Sequence, residues 1–202
     1  MQMNSIVGFL TGEIGSGKTT VCRRIVELAR GQGWRPAGMI TDPVIDEHGR
    51  KVALLAEDLW TGERRRLATV EPVAGAIAAA PEESHRAEAL RRGPHIFDPA
   101  VFAWTIEQVQ RALDRQPALV IIDEIGPIEL ELGAGFAPLL APVANGAVPA
   151  LLVVRQSLRQ ALAQRLGQPP VVFWVTESTR ERLPQDILAT FLGRRLNCCA
   201  PA

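Results

Sequence analysis

The run Gly12-Glu13-Ile14-Gly15-Ser16-Gly17-Lys18-Thr19 matches G-x-x-x-x-G-K-[ST] at every fixed position. These residue types suit the binding of a polyphosphate. Glycines let successive backbone N–H groups turn inward and approach phosphate closely. A helix beginning at the end of the run adds unpaired N–H groups and the positive end of its dipole. Lys18 is expected to neutralise the β- and γ-phosphates, and Thr19 to place its hydroxyl on Mg²⁺. Gly12 through Thr20 are therefore the candidate nucleotide-binding residues. The plainer reading is a glycine-rich turn that only joins a strand to a helix. The complete motif, its flanks and a partner acidic strand weigh against it.

That partner is Asp123-Glu124, preceded by the apolar run Ala118–Ile122. In open α/β sheets, ligands sit beyond the carboxyl ends of the strands. A strand over 118–122 thus delivers both carboxylates to the nucleotide side. Asp123 is the natural Mg²⁺ ligand, directly or through water. Glu124 is the candidate base for the attacking water, and Lys18 is the other catalytic candidate. An acidic strand end without metal is the alternative, and the phosphate loop makes it the weaker one. No Asn-Lys-x-Asp or Thr-Lys-x-Asp follows a later strand, so broad base tolerance is expected. Hydrolysis of a nucleoside triphosphate is the leading reading. A nucleotide or small-molecule kinase, or a nucleotide-dependent switch acting on a protein partner, stays open beside it.

Elements must place these groups. Ser5–Thr11 is a nearly continuous apolar run that suits a buried parallel strand. In Lys18–Arg30, Val21, Ile25 and Leu28 fall on one helix face, and Gly31 and Gly33 supply a stop. Arg35–Thr41 reads as a second strand and 42–49 as a turn-rich stretch. Lys51–Leu59 and Glu63–Thr69 read as strands around Thr61-Gly62. Pro72–Pro94 reads as a surface excursion. Asp98-Pro99 opens a helix striped by Phe102, Ile106, Val109 and Leu113. Phe136–Val143, Leu158–Leu166 and Leu183–Leu192 are expected helices, with strands at Ala150–Val154 and Val171–Thr176. Alternation of apolar strands with helices predicts a three-layer P-loop α/β fold: a mostly parallel sheet, helices on both faces, and a β-hairpin extension at 42–70 within a single domain spanning 1–202.

Composition bounds the rest. The 202 residues are 47 % hydrophobic and 22 % charged, with 22 basic against 22 acidic side chains. That balance gives no generic electrostatic grip on nucleic acid or an anionic membrane, and neither is expected as a partner. The start lacks the pattern of a signal peptide and no window is long enough for a membrane span, so a cytoplasmic protein is expected. Cys22, Cys198 and Cys199 form no disulfide framework or metal-pair spacing. His48, His85 and His95 are scattered, which argues against zinc.

Accessory candidates are weaker. Arg155 follows the strand Ala150–Val154, and Arg180 follows Val171–Thr176. Either would reach a γ-phosphate or base, with a structural ion pair as the alternative. Arg64-Arg65-Arg66 reads more readily as a solvated face than as an arginine finger. Glu129 would position water or orient Lys18; capping a helix or pairing with an arginine is the equal alternative. Trp174 is a minor candidate for base contact, and the tryptophans generally read as packing.

Taken together, Gly12–Thr20, Gly38-Met39-Ile40-Thr41 and Asp123-Glu124-Ile125-Gly126-Pro127-Ile128-Glu129-Leu130 resemble the THEP-type nucleoside-triphosphatases, also called cancer-related nucleoside-triphosphatases. Val175-Thr176-Glu177-Ser178-Thr179-Arg180 resembles that family's V-T-x-x-N-R, and the resemblance spans residues 4–192. It implies a compact P-loop enzyme that hydrolyses ATP, GTP and other triphosphates slowly with Mg²⁺. It also implies the phosphate loop at Gly15, Gly17, Lys18 and Thr19, the acidic pair at Asp123 and Glu124, and the second motif glutamate at Glu129. The chain departs from the family pattern at Pro127, where a lysine is usual. Pro43-Val44-Ile45 replaces E-V-R, and Gly93-Pro94-His95 replaces G-x-Y.

Overall fold

The computed structural model describes residues 6–71 and 90–198. In chain order the elements are β1 (Val7–Gly12), α1 (Lys18–Gly31), β2 (Ala37–Ile45), β3 (Lys51–Asp58), β4 (Arg64–Val70), β5 (Leu90–Arg92), β6 (His95–Phe97), α2 (Pro99–Leu113), β7 (Val120–Ile125), α3 (Pro127–Glu131), α4 (Leu140–Asn145), β8 (Ala150–Val154), α5 (Arg159–Leu166), β9 (Val171–Val175) and α6 (Leu183–Cys198). Short 3-10 turns lead into α4 and α5.

One sheet runs β5-β6-β4-β3-β2-β7-β8-β1-β9. Its half from β2 to β9 is parallel, with β7 and β8 between β2 and β1. These strands are apolar on both faces because both are covered. Phe9, Met39, Ile122 and Leu152 pack on one side with Phe102, Val109, Leu139 and Leu162, under α2, α4 and α5. Leu10, Ile40, Ile121 and Leu151 pack on the other with Ile25, Val26, Ile187 and Phe191, under α1 and α6. The expected three-layer α/β architecture is present, and its local causes hold. Asp98 accepts from the Ala100 N–H at 2.8 Å and Pro99 fills the first position of α2. Val21 and Ile25 are buried on α1, with Leu28 packed against the same core.

Several boundaries differ from the sequence reading. Residues 42–45 belong to β2 and not to a turn: Asp42, Pro43 and Val44 pair with Leu55, Leu54 and Ala53 of β3. The β-rich extension therefore continues the main sheet edge to edge. Pro43 is tolerated because β3 alone flanks this end of β2; the parallel pairing to β7 covers only Ala37–Met39. Of the excursion at 72–94, residues 72–89 lie outside the described set, and Leu90–Arg92 pairs with His95–Phe97 around Gly93-Pro94. β7 runs on through Asp123 and Glu124 to Ile125, so the acidic pair lies within the strand, at a break in its register with β8. The helix α3 has no counterpart in the sequence reading. α6 extends to Cys198, a residue the sequence reading placed in a frayed tail.

Gly38 accounts for the close approach of β2 to β7. Its φ is +106°, and a Cβ there would lie 1.9 Å from the carbonyl oxygen of Ile121. No larger residue fits that crossing.

Candidate active site

Strands β1 and β7 end on the same edge of the parallel sheet, with β8 between them. The phosphate loop leaves β1 there and feeds α1. Gly15 and Gly17 hold φ of +79° and +93°, the left-handed region that glycine enters without steric cost. Gly17 is the N-cap of α1, and its carbonyl receives the Val21 N–H at 2.9 Å. The loop is tightened by Ser16 N–H donating to the Glu13 carbonyl at 3.2 Å. Lys18 Nζ donates to the carbonyls of Gly12 at 3.1 Å and Glu13 at 2.7 Å, so its ammonium curls over the loop that carries it. Ile14 is 89 % exposed, and Thr20 is exposed one position after Thr19.

Asp123 is buried, and its Oδ2 has no hydrogen-bond partner. Burial pushes its carboxyl up to about 7. The polar Thr19 side chain nearby opposes that shift, the charges of Glu124 and Asp42 add to it, and Lys18 opposes it. Ser16 Oγ and Thr11 Oγ1 are also buried without partners. A hydroxyl and a carboxylate meeting at the start of α1 form a hard-oxygen pair. Mg²⁺ takes such ligands, holding one or two protein oxygens together with substrate phosphates. The residues thus fit the ion the sequence implies. Among the described residues, no group of three or more His, Cys, Asp or Glu side chains forms an all-protein metal cage.

Glu124 is partly exposed. Its Oε1 accepts from both Nε and Nη2 of Arg155, at 3.1 and 3.0 Å. Glu129 is buried and spends both oxygens on backbone: Oε2 accepts from Gly126 N–H at 2.8 Å and Oε1 from Phe136 N–H at 3.1 Å. Burial raises its pKa, and those two bonds oppose the rise. This is the capping geometry weighed for it, with Pro127 in the first turn of α3 where no N–H is missed.

The remaining candidates are engaged in contacts of their own. β9 lies beside β1, where Thr11 and Gly12 pair with Trp174 and Val175. Arg180 pairs with Glu181 at 3.4 Å in an exposed contact. Arg64 is tied to Glu57, and Arg65 stacks on Trp104 at 4.4 Å. Trp174 stands on the outermost strand β9 with Arg159 5.0 Å from its ring. Burial is the larger, and the Asp123 charge the smaller, of the influences raising the Cys22 thiol well above its ordinary value.

Two participants escaped the sequence reading. Thr41 donates its hydroxyl to the Asp123 carbonyl at 2.6 Å. Arg23, one turn beyond Thr19, pairs with Asp42 and with Glu57 at 2.9 Å, and Glu57 also holds Arg64 at 2.5 Å. The only available signal was spacing: Arg23 at i+4 from Thr19, and Thr41-Asp42 ending an apolar run.

Comparison with known proteins gives the family and the fold. A family model described as NTPase matches residues 8–188. The chain belongs to the NTPase family. It is 32 % identical over 185 residues to the nucleoside-triphosphatase THEP1 of Methanopyrus kandleri, covering 89 % of this chain and 91 % of that protein. Against the nucleoside-triphosphatase THEP1 of Ignicoccus hospitalis it is 31 % identical over 181 residues, covering 89 % and 92 %. The solution structure of a human cancer-related nucleoside triphosphatase superposes with a TM-score of 0.61 at 25 % identity, covering 93 % of this chain and 97 % of that one. The crystal structure of THEP1 from Aquifex aeolicus gives 0.59 at 21 % identity, covering 92 % and 99 %, a likeness of fold. Membership in the NTPase family makes this chain an enzyme of the nucleoside-triphosphatase class. Within the family frame, Pro127 is a helix-start residue and Asp42 keeps a carboxylate, paired to Arg23, beside the replaced E-V-R element.

Proposed function

We propose that this enzyme converts Mg²⁺-bound nucleoside triphosphates to diphosphate and phosphate, with little selection of the base. The observation that carries the reading is Asp123: a buried carboxylate whose Oδ2 has no partner, close to Thr19 and Lys18 of the phosphate loop, among the last residues of β7. Thr19 and Asp123 would hold the ion, which when bound neutralises phosphate charge. Backbone N–H groups from Gly15 to Thr19 and the start of α1 hold the β- and γ-phosphates, and Lys18 adds a full positive charge. Glu124 takes a proton from water as the water oxygen bonds to the γ-phosphorus. The bridging oxygen to the β-phosphate leaves with the electron pair. Weak base selection agrees with the strand end after β9, where Thr179 turns its hydroxyl back to the Trp174 carbonyl at 2.7 Å.

Phosphate release from ATP, GTP, CTP and UTP tests this, with wild type and Glu124→Gln side by side. Release from several triphosphates, falling by roughly 10²–10⁴-fold in the variant, is the expected result. Tight binding with no release from any triphosphate would overturn it.

A further inference from the structure

We propose that Arg155 is a γ-phosphate ligand of this enzyme, held in reserve by Glu124 until a triphosphate arrives. The inference rests on the reading of Glu124 as the base and adds what controls it. β8 is buried along its whole length and lies between β7, which carries Glu124, and β1, which feeds the phosphate loop. Arg155 is the first residue after that strand. Its backbone is extended, with φ −66° and ψ 144°, so the side chain leaves from the edge where the nucleotide-binding loop begins.

The guanidinium is committed to a single carboxylate oxygen. Nε and Nη2 both converge on Glu124 Oε1, while the side chains remain 49 % and 36 % exposed. An ion pair this exposed is weakly held, because water competes for both charges. A terminal phosphate competes better: it carries more charge than a carboxylate and offers oxygens spaced for the guanidinium fork. Arg64, Arg65 and Arg180 are engaged differently. Arg64 is shared with Glu57, Arg65 is stacked on Trp104, and Arg180 contacts its chain neighbour Glu181.

The exchange has a chemical consequence. With both Nε and Nη2 of Arg155 on Oε1, the lone pairs of that oxygen face the guanidinium and not an attacking water. Transfer of the guanidinium to the γ-phosphate frees the carboxylate when the attacking water has a target. A diphosphate presents no γ-phosphate and leaves the pair intact. The same contact that restrains the base in the unliganded enzyme thus makes triphosphate binding its release.

The test is binding, not turnover. Affinities for a non-hydrolysable ATP analogue and for ADP, each with Mg²⁺, are measured by calorimetry for wild type, Arg155→Ala, Glu124→Gln and the double variant. Arg155→Ala is expected to weaken the triphosphate analogue by about 10-fold and ADP by less than about 2-fold. Glu124→Gln releases the guanidinium and is expected to tighten the analogue by roughly 5-fold, with ADP unchanged; that gain should vanish in the double variant. Arg155→Lys, which keeps charge without the fork, should restore part of the lost affinity. The proposal falls if Glu124→Gln gives no gain, if the gain is the same without Arg155, or if Arg155→Ala weakens both ligands alike. Failure of Glu124 as base would appear separately, as near-normal turnover in Glu124→Gln, and would not alter these binding results.

Discussion

The hydroxyl of Thr41 donates to the carbonyl oxygen of Asp123 across 2.6 Å, joining β2 to β7 beyond the last backbone pair between them at Met39 and Ile122. That bond fixes the peptide on which the buried carboxylate is mounted. Thr41→Val keeps the shape and removes the donor. It should cost about 1 kcal/mol of stability in urea titrations. The Mg²⁺ concentration for half-maximal turnover should rise several-fold, and Thr41→Ser should behave close to wild type. An unchanged Mg²⁺ requirement in Thr41→Val would show that the bond does not position Asp123.

Among the described residues Lys18 is bonded only to carbonyls of its own loop, so its removal has a ligand effect larger than its fold effect. Lys18→Ala should weaken Mg-triphosphate binding by roughly 10–100-fold, the range of one or two charged hydrogen bonds. The thermal midpoint without nucleotide should stay within a few degrees of wild type. Equal losses for ADP and ATP would count against contact with the terminal phosphates.

Asp123 makes ligand-free stability depend on pH. Burial raises its carboxyl to about 7 in the folded chain, against about 3.9 for an unfolded aspartate. The folded state holds that proton more tightly, so the stability it lends is complete below about pH 4. That stability declines as pH rises to about 7 and is absent above it. The difference between wild type and Asp123→Asn isolates this group from Glu129 and His95, which also titrate away from their ordinary values. Wild type should lose stability relative to Asp123→Asn between pH 4 and pH 7 in denaturant titrations. Mg²⁺ at pH 8 should recover stability in the wild type and not in the variant. A constant difference across that window would contradict the raised pKa.

Glu129 holds two buried N–H groups from residues 126 and 136. Glu129→Ala strands both, each at about 1–3 kcal/mol, so a loss of several kcal/mol is expected from chemical unfolding. Glu129→Gln keeps an acceptor for one N–H and should lose less. A loss under about 1 kcal/mol in Glu129→Ala would mean that water replaces the carboxylate.

The phosphate loop and the acidic pair were legible because each is a contiguous run whose chemistry depends on local spacing. The parallel half of the sheet was legible because strands covered on both faces are apolar throughout. What escaped was decided between distant segments. Nothing near Asp42 announces that Arg23, nineteen positions earlier, will pair with it, and a Pro in 42–45 reads as a turn until β3 is alongside. α3 is only five residues long and begins with Gly126-Pro127, so it offers too few turns for a periodic pattern. The contacts of Arg155 and Glu129 depended on which atoms they meet, and residue type alone left ion pair, cap and ligand open.

β2 belongs to both halves of the sheet. Its first residues lie against β7, and its last lie against β3 alone. Thr41 and Asp42 sit at the junction, one bonded to the Asp123 peptide and the other to Arg23 of α1. The antiparallel extension and the candidate site thus share one strand, with no loop between them, and what happens at one end of β2 is felt at the same residues that hold the Asp123 peptide and α1 in place.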